Sequence, residues 1–384
     1  MSQSSNIQKI DPWSVVQLLI DGHSAASLSL PMRFLDVRSE GEYDAGHFDG
    51  FLCAPILNNI ERAAVGTTFK SFGQQAAIEL GVKFTEQKRK AIASEWHQSP
   101  HMKSYIVMCF RGGLRSKYAC EWLSELCSVD QRVYQVEGGY KSVRTNLLRE
   151  LENKKVAVIL SGLTGSGKSR LLRDCNLPSL DLERLANHRG SAFGELIGGQ
   201  PTQVQFENNL AVEWIKLGSN KFVAEDESRL IGRRVLPVGV KETLESAEII
   251  EVVVPFESRI RNIFDEYVKE PLENEYSLEN LCELRLKQLT SVSKKLGGAE
   301  FAHISTLLET AFKDGAEFEP HAQWISRLLK NYYDPMYKFS SERRSRKVIF
   351  RGDYQECLEW MNKKSDLLKS PKKAAVLQNY PPEF

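Results

Sequence analysis

The 384-residue chain carries almost no net charge: 51 Lys and Arg face 50 Asp and Glu, for a formal net charge of +1. No global electrostatic pull toward nucleic acid or an acidic membrane follows from that balance, so any basic surface must come from local arrangement. Long apolar runs are also missing. Val156-Ala-Val-Ile-Leu160 is among the longest, far short of the ~20 residues a membrane helix needs. The opening Met1-Ser-Gln-Ser-Ser-Asn6 has no basic stretch followed by an apolar one, so no secretory leader is expected. The seven cysteines are odd in number and scattered, with no Cys-x-x-Cys spacing. Neither a disulfide framework nor a zinc site is expected, and a reducing cytoplasm is the expected compartment. Internal repeats and low-complexity segments are absent as well. What remains is globular composition, 42% hydrophobic and 26% charged, in a length that suits two or three domains.

The apolar pattern divides this length in two. Arg33-Phe-Leu-Asp-Val37, Ser104-Tyr-Ile-Val-Met-Cys109 and Val133-Tyr-Gln-Val136 read as strands. Leu114, Ala119, Trp122, Leu123 and Leu126 fall near helical spacing between the last two. Strands alternating with helices predict an α/β domain with a mostly parallel sheet over residues 10–143. A charged helical connector is expected over 144–154. A second α/β domain is expected over 155–384, opening on the strand Lys155–Ser161, helical from about Ser277 to Tyr333 and ending in a Lys-rich tail.

Cys109-Phe-Arg-Gly-Gly-Leu-Arg-Ser116 lies between an apolar strand and a helical pattern. A thiolate is a useful nucleophile only where its charge is stabilised. Backbone N–H groups curled by Gly112 and Gly113, together with Arg111 and Arg115, supply that charge and form a cup for a tetrahedral anion. Upstream stand Leu35-Asp-Val-Arg-Ser39, Glu42-Tyr43, Gly46-His47 and Ala54-Pro55. Together these resemble the rhodanese (sulfurtransferase) domain, over roughly residues 10–143. Cys109 and Arg115 have five residues between them, one more than simple sulfurtransferases usually have, and a roomier cup suits a phosphate-sized anion. Cys120 and Cys127 read as core packing, and His47 as structural.

Gly162-Leu-Thr-Gly-Ser-Gly-Lys168-Ser169 matches the phosphate-binding loop pattern in full, after an apolar strand and before a helix start. The candidate ligand-binding residues are Gly162, Thr164, Gly165, Ser166, Gly167, Lys168 and Ser169. The glycines let the backbone wrap a phosphate, Lys168 reaches the terminal phosphates, and Ser169 can ligate Mg²⁺. Phe222-Val-Ala-Glu-Asp226 ends an apolar run in acids; Asp226 is the first candidate for an outer-sphere contact to Mg²⁺ and Glu225 the second, with a salt bridge from Asp226 to Arg229 or Arg233 as the alternative.

Further stretches narrow the reading: Asp181–Gly194, Gln200-Pro-Thr-Gln203, Phe206-Glu207, Glu225–Gly232 and Tyr332-Tyr-Asp-Pro-Met-Tyr337. With the cysteine loop they are similar to the bacterial tRNA 2-selenouridine synthase family, nearly to Trp360. The resemblance implies a rhodanese-like domain fused to a P-loop NTPase-like domain. It also implies a substrate, the wobble 2-thiouridine of the tRNAs for Lys, Glu and Gln. Selenophosphate, supplied by selenophosphate synthetase, would donate selenium held on Cys109, after the base sulfur is alkylated from geranyl diphosphate. Alkylation suits the chemistry, because it turns a poor leaving group into a better one. Lys168 and the amides of Gly165 to Ser169, with Mg²⁺, would neutralise the diphosphate. The stretch Lys338–Arg351, with six basic and one acidic residue and interleaved aromatics, is a candidate tRNA contact centred on Arg343 and Arg344.

Three other readings compete. One is a small-molecule sulfurtransferase fused to a P-loop kinase. Another is a regulatory module gated by a P-loop. The third is a cysteine phosphatase, which would want a general acid that the sequence does not identify.

Overall fold

A computed structural model describes residues 6–21, 31–97, 101–196, 198–218, 221–274, 276–341 and 346–364, with backbone only for 338–341. Arg343, Arg344 and the Lys-rich tail beyond Lys364 lie outside the described residues. The chain forms two compact units: residues 1–152 with 201–216, and 153–200 with 217–384. Both are α/β, each built on a five-stranded parallel sheet.

In the first unit the strands are β1 (Ile7–Ile10), β2 (Met32–Asp36), β3 (Phe51–Cys53), β4 (Ser104–Met108) and β5 (Arg132–Val136), in the order β1-β5-β4-β2-β3. The central β4 is buried at every position, which is why it reads as a continuous apolar run rather than an alternation. One face packs Leu35, Val107, Trp96, Cys120 and Trp122 into a core that also contains the Cys109 side chain. Cys127 packs against the same cluster. The long helix Asn59–Thr85 opens on a capping box, with Asn58 accepting from the Glu61 amide and Glu61 accepting from the Asn58 amide. It bends at Gly73, whose φ of +84° no helix interior adopts. Of the residues expected as a helical connector, 144–150 continue the helix Gly139–Glu150, which buries Tyr140, Val143 and Leu147, and 151–154 follow its end.

The helix Gln203–Lys216 also belongs to this unit and packs on the helices Pro12–Asp21 and Gly139–Glu150. Thr202 Oγ1 donates to the Ala45 carbonyl at 2.7 Å, and Asn208 Nδ2 donates to the His47 carbonyl and to Tyr140 Oη, each at 2.9 Å. Gly46 is required here, since a Cβ would stand 2.5 Å from a Val204 methyl.

The second unit contains β6 (Ala157–Ser161), β7 (Ser179–Leu180), β8 (Phe222–Glu225), a small antiparallel hairpin of β9 (Leu230–Ile231) and β10 (Arg234–Val235), β11 (Glu248–Val252) and β12 (Val348–Gly352). Its main sheet runs β12-β11-β6-β8-β7. A helical layer, Leu278–Leu296, Gly298–Asp314 and Phe318–Leu328, closes on its own core around Leu289, Leu308 and Trp324. Two π-helical turns, Asp265–Lys269 and Leu329–Tyr333, interrupt the helices. Buried Arg285 donates to the Tyr267 carbonyl inside the first turn, at 2.9 and 3.1 Å. Among the described residues no helix is long and apolar enough to cross a membrane.

Phe206 is fully buried in the helix Gln203–Lys216. Phe206→Ala should therefore cost about 3–5 kcal/mol of stability in urea unfolding, and an unshifted midpoint would show that this helix does not hold the first unit together.

Candidate active sites

The first site sits past the carboxyl end of β4. Gly112 takes φ +65°, and a Cβ there would meet the Val136 carbonyl at 2.8 Å and the Gly138 nitrogen at 2.9 Å. Gly139, with φ +59°, comes so close that a Cβ would stand 2.1 Å from the Cys109 carbonyl oxygen. That carbonyl accepts the Tyr140 amide at 2.9 Å, and the Phe110 carbonyl accepts the Lys141 amide at 3.0 Å. The loop after β5, with Gly138 and Gly139, thus braces the cysteine loop.

Cys109 Sγ is 3.2 Å from the hydroxyl of fully buried Ser116. Ser116 Oγ donates to the Gly113 carbonyl at 3.1 Å and accepts from Gln135 Nε2 at 2.9 Å. A hydroxyl has one hydrogen. A thiol at Cys109 therefore donates to Ser116, whereas a thiolate is stabilised when Ser116 turns its hydrogen from Gly113 to sulfur. Gln135, which also donates to the Gly112 carbonyl at 3.0 Å, holds the oxygen in place for that turn. Arg115 does not point a lone charge at the cup. It pairs with both oxygens of Glu42, at 2.5 and 3.1 Å. Arg111 is exposed, its guanidinium carbon 5.9 Å from the Phe110 ring centroid. Gly113 is open, with nothing within 4 Å of a Cβ.

The Asp-Val-Arg segment is structural: buried Arg38 pairs with Asp36 at 2.6 Å, donates to the Gly46 carbonyl at 2.8 Å and lies 3.8 Å from the Tyr140 ring centroid. His47 stacks on Tyr43 at 3.9 Å and stays on the frame. A cavity of about 920 Å³ opens beside the site. Cys109, Arg111 and Arg115 line one side, and the helix Asn59–Thr85 lines the other. The sequence reading assigned that helix no role.

The second site is the loop between β6 and the helix Lys168–Asp174. Gly165 and Gly167 both have φ of +81°, and a Cβ on Gly165 would stand 2.7 Å from the Arg259 carbonyl. The loop is held from outside. Arg259 donates to the Thr164 carbonyl at 2.8 Å and is itself paired with Asp334. Asn262 donates to the Gly165 carbonyl at 2.8 Å, and Tyr337 Oη accepts the Gly162 amide at 3.0 Å. Asp334 and Tyr337 give the Tyr-Asp-Pro-Met-Tyr stretch its local role. Lys168 Nζ folds back onto the Gly162 carbonyl at 2.8 Å, and buried Ser166 Oγ has no hydrogen-bond partner. A cavity of about 610 Å³ adjoins the loop between Gly162, Ser166, Arg259, Tyr337 and the ends of β11 and β12.

Glu183, Glu225 and Glu227 bring carboxylate oxygens within 4.8 Å of one another beside this loop. Ser169 Oγ donates to Glu183 at 3.2 Å. The backbone of Gly190 lies against Glu227, where a Cβ would be 2.5 Å from Oε1. Burial raises Glu183, and burial followed by repulsion from Glu183 pushes Glu225 well up and Glu227 to about 8, against the pull of Lys168. Glu225 Oε1 is buried without a partner. Asp226, the first candidate, points elsewhere: Arg346 donates to it at 2.7 Å. Asp226 is not part of the carboxylate cluster beside the loop, and Glu225 is. Of the basic stretch, Arg346, Lys347 and Arg351 each pair with a carboxylate, and Phe350 stacks on Trp360.

These two sites, a buried cysteine in a glycine-braced loop and a phosphate loop beside three carboxylates, define a two-unit α/β protein equipped for group transfer. Residues 155–367 match the family model described as the tRNA 2-selenouridine synthase AAA domain. A tRNA 2-selenouridine synthase of Pseudomonas fluorescens is 36% identical over 349 residues, covering 86% of this chain and 94% of the relative. One of Shewanella woodyi is 36% identical over 365 residues, covering 90% and 95%. One of Shewanella sediminis is 34% identical over 378 residues, covering 93% and 99%. The chain belongs to the tRNA 2-selenouridine synthase family.

Burial raises the Glu42 carboxyl, but the Arg115 hydrogen bond and charge outweigh it and hold Glu42 below its ordinary 4.5. The pair therefore stabilises the fold above that pH and loses its contribution as pH falls. Glu42→Gln should lose ~2 kcal/mol at pH 7, with the gap to wild type closing below about pH 4.5; a gap independent of pH would contradict this.

Proposed function

We propose that the protein converts wobble 2-thiouridine in the tRNAs for Lys, Glu and Gln to 2-selenouridine, in two stages. The second unit binds geranyl diphosphate at the phosphate loop and transfers the geranyl group to the base sulfur. The first unit, acting as a rhodanese-type module, then places selenium from selenophosphate at C2. Selenophosphate synthetase is the proposed source of that co-substrate.

The observation that carries this reading is the pairing, in one family member, of a braced cysteine loop and a fully formed phosphate loop. An allylic diphosphate ionises when its leaving diphosphate is neutralised. Lys168, turned from the Gly162 carbonyl, and the amides of Gly165 to Ser169 are the donors for that task. Thr164 and Ser166 complete the loop, and the unpartnered Ser166 hydroxyl is available to a phosphate oxygen. Mg²⁺ fits the residues beside it: an orphaned buried oxygen on Glu225, two further carboxylates and a hydroxyl form an all-oxygen donor set for a hard cation. Ser169, Glu183, Glu225 and Glu227 would hold it; Asp226 would not. When bound, the ion supplies charge neutralisation at the diphosphate.

In the first unit the alkylated sulfur is the leaving group. Selenium attacks C2, a C–Se bond forms, the C–S bond breaks, and the geranyl group departs on sulfur as a thiol. Arg111 and the amides around Gly112 and Gly113 hold the selenophosphate, Cys109 is the nucleophile that attacks its phosphorus so that the P–Se bond breaks and selenide is released toward C2, water then cleaves the S–P bond to give phosphate, and Arg115 fixes the loop through Glu42. Within the Lys338–Arg351 stretch, Arg343 and Arg344, which lie outside the described residues, are the proposed tRNA contacts.

Mass spectrometry of nucleosides, after incubation with thiolated tRNA, geranyl diphosphate, Mg²⁺ and selenophosphate, should show both S-geranyl-2-thiouridine and 2-selenouridine. Appearance of neither product would refute the reading.

A further inference from the structure

The cavity beside Cys109 is far larger than a phosphate-sized anion requires. At about 920 Å³ it lies at the upper end of organic-ligand sites. Its far wall is the helix Asn59–Thr85, and that wall is apolar and deliberately low: Ala63, Gly66, Ala77 and Gly81 all line it. Gly66 is a costly residue inside a helix. It does not have a positive φ, and a Cβ there would meet nothing within 4 Å, so neither strain nor crowding explains it. Phe69 and Leu114 line the same space yet remain 55% and 39% exposed, apolar surface without a partner in the first unit. Arg62 and Lys70 border it as well.

We propose that this cavity is the subsite for the ten-carbon allylic chain on the base sulfur, seated there while selenium displaces it at Cys109. The assignment rests on the two-stage reading above and adds a site to it. The chain lies along Ala63, Gly66 and Ala77 and against Phe69, with its sulfur-bearing end toward Sγ. Selenide, displaced from phosphorus by the Cys109 thiolate, forms the C2–Se bond, the C2–S pair leaves with the geranyl thiolate, which takes a proton from solvent to give geranyl thiol, and water cleaves the Cys109 S–P bond to release phosphate; no oxidant or reductant is consumed. Binding the chain rather than the base alone makes the unit choose alkylated over unalkylated tRNA, which prevents selenium delivery to a sulfur that cannot leave. The cations at the cavity border suit the phosphates of the incoming nucleotide or the selenophosphate.

The test uses the full-length protein, selenophosphate and two anticodon-stem RNAs, one S-geranylated and one S-methylated at the same 2-thiouridine. Wild type should show kcat/KM at least tenfold higher for the geranyl RNA. Gly66→Leu, which raises helix propensity while filling the cavity, should bring that ratio toward one, mainly through KM, and Gly66→Ala should fall between. An unchanged ratio in Gly66→Leu, with wild type active on the geranyl RNA, overturns the subsite alone. A wild-type protein that selenates neither RNA overturns the two-stage reading and the subsite with it.

Discussion

No Cβ fits between the loops that follow β4 and β5. Gly112 and Gly139 meet there at backbone distance, and the Cys109 and Phe110 carbonyls are consumed by amides of the neighbouring helix. Much of the first site follows from this contact. With its carbonyls satisfied, the cysteine loop can turn its remaining N–H groups outward, toward an anion. The same contact fixes the start of the helix that buries Tyr140, against which Arg38 lies and to which Asn208 donates. Asp36, Arg38 and His47 belong to that frame.

The phosphate loop is governed by a related constraint with a different remedy. Its glycines leave carbonyls that need donors, and Arg259 and Asn262 supply them from a helix that ends in a π-helical turn. Asp334, just after the second π-helical turn, holds Arg259 in place. Three carboxylates crowded beside Ser169 make the reverse case, an arrangement unfavourable by itself. Burial and repulsion raise their pKa values, and the crowding is relieved only by protons or a cation.

Much of this was legible in the chain. β2, β4, β5 and β6 are apolar runs bounded by turn residues, and Gly112, Gly162, Gly165 and Gly167 stand at positive-φ positions of the two loops. Other features were hidden for physical reasons. The helix Gly139–Glu150 carries so much charge after Val143 that its second half, with buried Leu147, was read as a connector. The helix Gln203–Lys216 follows the phosphate loop in sequence but packs with the first unit, a choice made by tertiary contacts. Asp226 and Glu225 are neighbours on one strand end, and only the alternation of side chains decides which faces Ser169. Glu183 joins them from a distant turn, and the low wall at Gly66 is an absence of side chains that no motif records.

The central claim is a division of labour: the phosphate loop activates the base sulfur, and the cysteine loop replaces it. Supplying Lys168→Ala with an RNA already S-geranylated bypasses the first task. The account predicts that this variant, inactive on plain 2-thiouridine RNA with geranyl diphosphate, forms 2-selenouridine from the geranylated RNA at close to the wild-type rate. No selenation of the bypassing substrate, by a variant whose folding is intact, would contradict it.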